Sequence, residues 1–486
     1  MSGDGDLFLG VDVGTQSTKA VLVDVDSGGV LARASRSYDL IPGLPVGHAE
    51  QHPDTWTEAV IATIREVSLG LGRRVCGVGV SGQQHGAVLL GDGDEALRPA
   101  KLWCDTSAAE EAATLSVELG RTVPAGFTAP KLRWSAEREP ELWARVRRVL
   151  LPHDYINLFL TGEFFTEVGD ASGTGYLDPA RGAYDAEAVD KTAPGLGDFL
   201  PPLRPCVAPA GTLTAAAASA LGLEAGIPVS AGGGDNMMSA IGAGATRPGV
   251  SVCSLGTSAT VFAFSARPAV DPGGDIASFR ASSADEQGGA GHLPLLCVMN
   301  CTQPLEDLKV LTGKGHDELT ELARTASMGD ELLVPFFMGE RVPNLPDATA
   351  SLTGLRPGSL SPGVLYRAAL EGVALNLASG VERMRGMGIE PEEVRLVGGA
   401  ARNSLWQEIL ATAFGVPVRV LVETETAAVG AALQVAAAVR REPVDHLAQA
   451  FVAYGGAAVP PSVDQGTVER LARLGGRLAE AIAAQR

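Results

Sequence analysis

The chain has 486 residues, 45% hydrophobic and 20% charged, which excludes global disorder and allows two to three domains, each with its own core. Lys and Arg number 38 against 57 Asp and Glu, a net charge of −19 without any Lys/Arg-rich run, which argues against a nucleic-acid scaffold; an acidic enzyme can still bind a polyanion if it brings a metal ion to the site. The six cysteines contain no CxxC, the polar and acidic Met1–Asp6 has no signal-peptide character, and the longest greasy stretch, 427–439, is interrupted by Gln434 and falls short of the roughly 20 residues that span a bilayer. A soluble, cytoplasmic protein with reduced cysteines and no membrane partner is expected.

Sixty glycines and 30 prolines punctuate the chain, so the predicted elements are short. Leu7–Val13 reads as a strand, Gly14-Thr15-Gln16-Ser17-Thr18 as a turn, 20–25 as the return strand, Asp26–Gly29 as a second turn and 30–34 as a third strand. A helix is predicted from Pro53, with Trp56, Val60, Ile64 and Val67 on one face. Residues 75–80 form a strand that runs into Ser81-Gly82-Gln83-Gln84-His85-Gly86. Residues 227–231 form another, running into Gly232-Gly233-Gly234-Asp235-Asn236 and a small-residue helix.

The second half repeats this grammar. Cys253-Ser254-Leu255-Gly256-Thr257-Ser258 echoes Gly10–Ser17 and has its own return strand at 260–264. Ser361-Pro362 opens a helix with Leu365, Ala369, Val373, Leu377, Val381 and Met384 on one face. The strand 394–397 leads into Gly398-Gly399-Ala400-Ala401-Arg402-Asn403. A helix follows with Leu405, Ile409, Leu410 and Ala413 inward, stopped by Gly415 and Pro417. Residues 418–422 then run through Glu423-Thr424-Glu425-Thr426 into a second small-residue helix. Two similar α/β domains, 1–245 and 246–486, are predicted, with a small-molecule site in the cleft between them.

Gly77-Val78-Gly79-Val80-Ser81-Gly82 matches GxGxxG, but its glycines lie inside the strand rather than at a strand-to-helix turn, so the dinucleotide reading is rejected. No GxxxxGK[ST] is present. His48, Glu50 and His52 alternate without zinc-site spacing and are read as a solvated loop. The two glycine-threonine turns offer backbone N–H groups and hydroxyls to an anion, and their matching places suggest a polyphosphate held across the cleft. Asp12, just before the first turn, suits Mg²⁺, which takes one or two carboxylates plus phosphate oxygens; an ordinary strand-end aspartate is the alternative. Gly398-Gly399 before a helix is either a phosphate site or a close packing of strand and helix. Asp235, after three glycines, is either a general base for a substrate hydroxyl or the cap of the next helix.

Taken together, Gly10-Val11-Asp12-Val13-Gly14-Thr15, Gly-Gly-Gly-Asp235-Asn236, Leu255-Gly256-Thr257-Ser258, Gly339-Glu340-Arg341 and Gly398-Gly399-Ala400 resemble the FGGY carbohydrate kinases from Leu7 to about Val439. Ser81–Gly86, Gly126-Phe127-Thr128-Ala129-Pro130-Lys131-Leu132 and Leu151-Pro152-His153-Asp154-Tyr155 are similar to the members of that family that act on xylulose. The resemblance implies two ribonuclease H-like domains of the actin/hexokinase type closing on a ketose and MgATP. It implies phosphorylation of D-xylulose, with ribulose or glycerol as alternatives and a non-catalytic sensor or filament-forming protein as the rival from another class. It implies Asp235 as base, Gln84, His85 and Asn236 at the sugar, and Asp12 near Mg²⁺. Gly14, Thr15, Gly256, Thr257, Gly399, Ala400 and Asn403 are implied at the nucleotide; a homodimer is left open. The sequence departs from the family at Trp103-Cys104-Asp105-Thr106-Ser107, where Trp-Asn-Asp-x-Arg is usual, so an arginine beside the sugar is missing. His48 stands where a tryptophan is usual, and Asn300-Cys301-Thr302-Gln303-Pro304 replaces a small-residue run near the nucleotide.

Overall fold

The computed structural model describes residues 6–283 and 291–485. Strand β1 (Leu7–Val13) is apolar at almost every position and buried on both faces, so both sides of its sheet must be covered. It pairs antiparallel with β2 (Ser17–Asp24), which pairs antiparallel with β3 (Gly29–Ser37). On its other side it pairs parallel with β4 (Val75–Gly82). With β5 (Pro209–Thr212), β6 (Pro228–Ser230) and the two-residue β7 (Gly233–Gly234), the sheet runs β5-β6-β4-β1-β2-β3, β7 lying beside β4.

The second sheet is built from β8 (Val250–Leu255), β9 (Ala259–Ala263), β10 (Ala277–Arg280), β11 (His292–Val298), β12 (Glu393–Val397) and β13 (Val418–Val420). Its order is β10-β11-β9-β8-β12-β13: antiparallel pairs from β10 to β8, then parallel pairs through β12 and β13, as β3-β2-β1 is continued in parallel by β4 and β6 before the antiparallel edge strand β5. This topology, occurring twice, is the ribonuclease H-like arrangement of actin and hexokinase. All six cysteines are free, and among the described residues no helix is long and apolar enough to cross a membrane.

The helices used below are α1 (Pro53–Val67), α2 (Thr128–Arg138), α3 (Pro152–Thr161), α4 (Asp235–Gly242), α5 (His316–Thr325), α6 (Pro362–Gly386), α7 (Ser404–Phe414) and α8 (Thr426–Arg440). Trp56, Val60, Ile64 and Val67 of α1 pack with Leu7, Leu9 and Val78 on the outer face of the first sheet. On the outer face of the second sheet, α6 and α7 join Cys253, Val261 and Leu396. The predicted inward faces hold, except that Leu365 and Ala413 are half-buried. Trp406, missed in the sequence, is buried and donates its indole N–H to Leu370 O at 3.0 Å.

Between the sheets lies one shared core, built from α4 of the first half and α8 of the second. Helix α8 comes down onto β1 and β4 until backbone meets backbone. A Cβ on Gly10 would stand 1.8 Å from Ala428 O, and one on Gly79 2.0 Å from Ala431 O. Two of the three glycines that mimicked a dinucleotide fingerprint, Gly77 and Gly79, are therefore the floor of a helix seat, whereas Gly82 faces His153 of α3. Gly79→Ala should cost about 1–3 kcal/mol by overpacking that seat. Gly386→Ala, where an added Cβ meets nothing within 4 Å, should instead gain about 0.5 kcal/mol. Chemical denaturation reads both.

Candidate active site

The parallel register of β1 and β4 sets Asp12 beside Ser81, whose hydroxyl donates to Asp12 Oδ1 at 2.8 Å. Burial pushes the Asp12 carboxyl above its usual range, while the Ser81 hydrogen bond and the Lys19 charge pull the other way. Lys19 is itself paired with Glu425, at the start of α8, at 2.7 Å. The second oxygen of Asp12 has no hydrogen-bond partner among the described residues. One open carboxylate oxygen at a strand end is the donor set that Mg²⁺ uses together with phosphate oxygens, so the residues fit that ion.

In the turn after β1, Gly14 N–H donates to Ser17 O at 3.0 Å and the Tyr38 hydroxyl donates to Gly14 O at 2.7 Å. The Thr15 hydroxyl donates to Gln83 Oε1 at 3.0 Å and accepts from Trp103 Nε1 at 2.9 Å. Gln51 Nε2 donates to Thr15 O at 2.7 Å. The hydroxyl expected to meet phosphate thus braces the turn internally. The matching turn of the second half makes the same bond, Gly256 N–H to Ser258 O at 3.0 Å. There, the amides of Cys301 and Thr302 donate to the carbonyls of Thr257 and Gly256, which places the Asn300–Pro304 segment directly behind the turn.

Strand β7 pairs Gly233 with Ser81 and Gly234 with Gly82, and so delivers Asp235 to the end of the sheet that carries Asp12. The capping position of α4 is Gly234, not Asp235. Asp235 Oδ1 accepts from Asn236 N–H at 2.7 Å and Asn236 Nδ2 at 2.8 Å, so the helix-cap alternative fails. Asn236 Nδ2 also donates to Gln84 Oε1 at 2.9 Å, and Thr260 of β9 donates to Asn236 Oδ1 at 3.2 Å. Burial, and then the neighbouring charge of Asp12, push the Asp235 carboxyl up to about 7.

His85 adopts φ +64°, in the left-handed region. Its carbonyl accepts from Thr128 Oγ1 at 3.2 Å and Lys131 Nζ at 3.3 Å, both on α2. The same ammonium caps the carbonyls of Gly126 and Phe127. This gives a structural role to the Gly126–Leu132 segment. The imidazole packs against Phe127 at 4.8 Å and Phe279 at 5.8 Å between ring centroids, and burial with the charges of Lys131 and Arg341 keeps it neutral. Glu340 is consumed structurally, accepting from Met299 N–H at 2.6 Å and Asn300 Nδ2 at 3.2 Å, while the charge of Arg341 reaches His85.

The solvated-loop reading of His48, Glu50 and His52 holds only for His52. Glu50 is buried and paired with Arg98 at 2.6 Å and Lys101 at 3.1 Å. Lys101 Nζ also donates to Ser107 Oγ at 2.7 Å, lies 3.4 Å from Asp105 Oδ2 and sits 3.9 Å from the centre of the Trp134 ring. His48, Glu50 and Asp105 bring metal-type ligand atoms within 4.8 Å of one another, but this ammonium fills the place an ion would take. The only hints in the sequence were the i, i+4 spacing of Lys101 and Asp105 and the unusual Ser107.

On the second half a cavity of ≈ 660 Å³ runs from Gly256 and Thr257 past Thr302 and His316 to Tyr366 and Gly399. Gly398, at φ +95°, would place a Cβ 2.4 Å from Leu255 O, whereas a Cβ on Gly399 would meet nothing within 4 Å. The first glycine serves packing and the second leaves space. Asn403 caps α7 through Trp406 N–H at 3.1 Å and donates to Thr320 Oγ1 at 3.0 Å. Ala400 lines the same cavity.

The chain matches the N-terminal domain model of the FGGY family of carbohydrate kinases over residues 7–242 and the C-terminal domain model over residues 251–439. It belongs to that family and is a phosphotransferase. A xylulose kinase of Haemophilus influenzae is 36% identical over 468 residues, covering 92% of this chain and 93% of the relative. Among solved structures, the kinase from Brucella ovis is 31% identical with a TM-score of 0.90, covering 98% of this chain and 99% of that one. The xylulose kinase from Rhodospirillum rubrum is 29% identical with a TM-score of 0.87, covering 98% of both.

Lys131→Met keeps the stem of the side chain but frees the His85 carbonyl. It should raise the KM for the sugar about tenfold, the size of one charge-assisted hydrogen bond, and leave the KM for ATP unchanged. Steady-state kinetics with each substrate varied in turn checks the split.

Proposed function

We propose that the chain transfers the γ-phosphoryl group of ATP to the 5-hydroxyl of D-xylulose, with Asp235 as general base. The observation that carries this reading is Asp235 itself, a buried carboxyl lifted to about 7 and hydrogen-bonded to Asn236, which in turn holds Gln84. A carboxylate of that basicity accepts a hydroxyl proton near neutral pH and orients the oxygen for in-line attack. The xylulose kinases among its relatives support the choice of sugar.

Gln84, His85 and Asn236 hold the ketose. The open oxygen of Asp12 would hold Mg²⁺, which supplies charge neutralisation at the phosphates when bound. The turns at Gly14-Thr15 and Gly256-Thr257, whose glycine N–H groups close the turns themselves, offer the N–H groups of Thr15 and Thr257 to the phosphates; with the space at Gly399 and Ala400 they receive the nucleotide, and Asn403 shapes the end of its cavity. Residues 1–245 and 246–486 act as the two jaws, and their closure excludes water as a competing acceptor.

A coupled ADP-release assay across D-xylulose, ribulose and glycerol tests the substrate; D-xylulose should give the highest kcat/KM, and a better alternative sugar would overturn it. Asp235→Asn should lower kcat by roughly 10² or more while sugar binding by calorimetry survives. Wild-type kcat/KM should fall as pH drops through about 7, because protonated Asp235 accepts no proton. A flat pH profile together with an active Asn variant would remove Asp235 from the role.

A further inference from the structure

Gln434 interrupts an otherwise apolar α8 and is fully buried. Its side chain lies over the break between β6, which ends at Ser230, and β7, which begins at Gly233. At that break the chain leaves the ladder, so its polar groups need other partners. Asn157 Nδ2 takes the Ala231 carbonyl at 2.7 Å. Gln434 takes both groups of Gly232: Oε1 accepts from Gly232 N–H at 3.0 Å and Nε2 donates to Gly232 O at 3.1 Å. Oε1 also accepts from Ser230 Oγ at 2.8 Å, and Nε2 donates to Ser282 O at 3.0 Å. The four hydrogen-bonding positions of the amide are all used.

Gly232 has no side chain with which to lock itself. It sits at φ +75°, and a Cβ there would stand 2.4 Å from Val80 O. Its conformation is held from outside, and three residues later the chain presents Asp235. Ser282 presses on the same run, its hydroxyl 2.8 Å from where a Cβ on Gly233 would be. A hydrophobic residue would fill the α8 position without the cost of burying an amide. We propose that Gln434 is a positioning residue for Asp235: by clamping both backbone groups of Gly232, it fixes where the glycine run delivers the carboxylate. The inference rests on Asp235 being the base.

The test compares Gln434→Leu and Gln434→Glu, each alone and combined with Asp235→Asn, in the full-length enzyme. Leucine removes every bond. Glutamate as carboxylate keeps the acceptor for Gly232 N–H and loses the donor to Gly232 O. For Gln434→Leu, kcat should fall about 10- to 100-fold, the scale of a misplaced catalytic group. Calorimetric affinity for D-xylulose and the KM for ATP should change by less than about threefold, and Gln434→Glu should fall between leucine and wild type. In the Asp235→Asn background neither substitution should lower kcat further, because the group being positioned has already lost its function.

A folded, sugar-binding Gln434→Leu enzyme with kcat within about twofold of wild type would overturn the proposal. So would a full multiplicative loss in the Asp235→Asn background, or failure of both single variants to fold, which would assign Gln434 to stability alone. An active Asp235→Asn single variant would remove the base assignment and this inference with it. An inactive one beside an unaffected Gln434→Leu would remove this inference only.

Discussion

Because Gly10 and Gly79 carry no side chains, α8 settles onto β1 and β4 at a distance that any other residue would forbid. Much of the site follows from that contact. The helix begins at Thr426, whose hydroxyl meets Ser239 of α4 at 2.7 Å, and the preceding Glu425 reaches Lys19 beside Asp12. Two turns further on it carries Gln434 to the glycine run before Asp235. One helix from the second half of the chain thus touches the surroundings of both carboxylates, and it does so only because the strands beneath it are bare.

The electrostatics of the cleft have the same economy. Burial first, and then the charges of Asp12 and Asp170, raise the cost of ionising Asp235. Asp170 is balanced by His153, which lies 2.8 Å away and whose other nitrogen stands 2.9 Å from Asp154; burial opposes the charge on that imidazole, and the two carboxylates hold it protonated. Among the described residues no cation pairs with Asp235. Buried and without a counter-charge to offset that burial, its carboxyl is pushed up to about 7. In a chain of net charge −19, a polyphosphate that brings its own cation meets less repulsion than a bare one, in keeping with the Mg²⁺ proposed at Asp12.

Elements with local signatures were legible in the sequence. Glycine-threonine turns after apolar strands, a proline-started amphipathic helix and a glycine-stopped α7 all depend on neighbours a few residues apart, and each stands where its pattern put it. The residues that escaped are those whose partners are far along the chain. Glu50 looked solvated because Arg98 and Lys101, which bury it, lie some fifty residues away. Gln434 read as an interruption because Gly232 is 202 positions distant. Thr15 was expected to meet phosphate through its hydroxyl, since nothing local announces Gln83 and Trp103. Asp235 as base or cap was undecidable from spacing; the cap falls because Gly234, held beside Gly82, takes the capping position of α4.

The seating of α8 also bears on how the polypeptide is made. The first sheet is complete once Gly234 has been synthesised, yet its inner face lacks a cover until the ribosome reaches Arg440, about two hundred residues later. Through that interval the nascent chain holds a sheet whose buried side, with Phe8, Val21 and Val23, waits for a helix not yet translated. The amino-terminal half therefore depends for its last layer on the final fifth of the message, and a truncated product lacking α8 would expose an apolar groove to chaperones and proteases rather than persist as a free-standing unit.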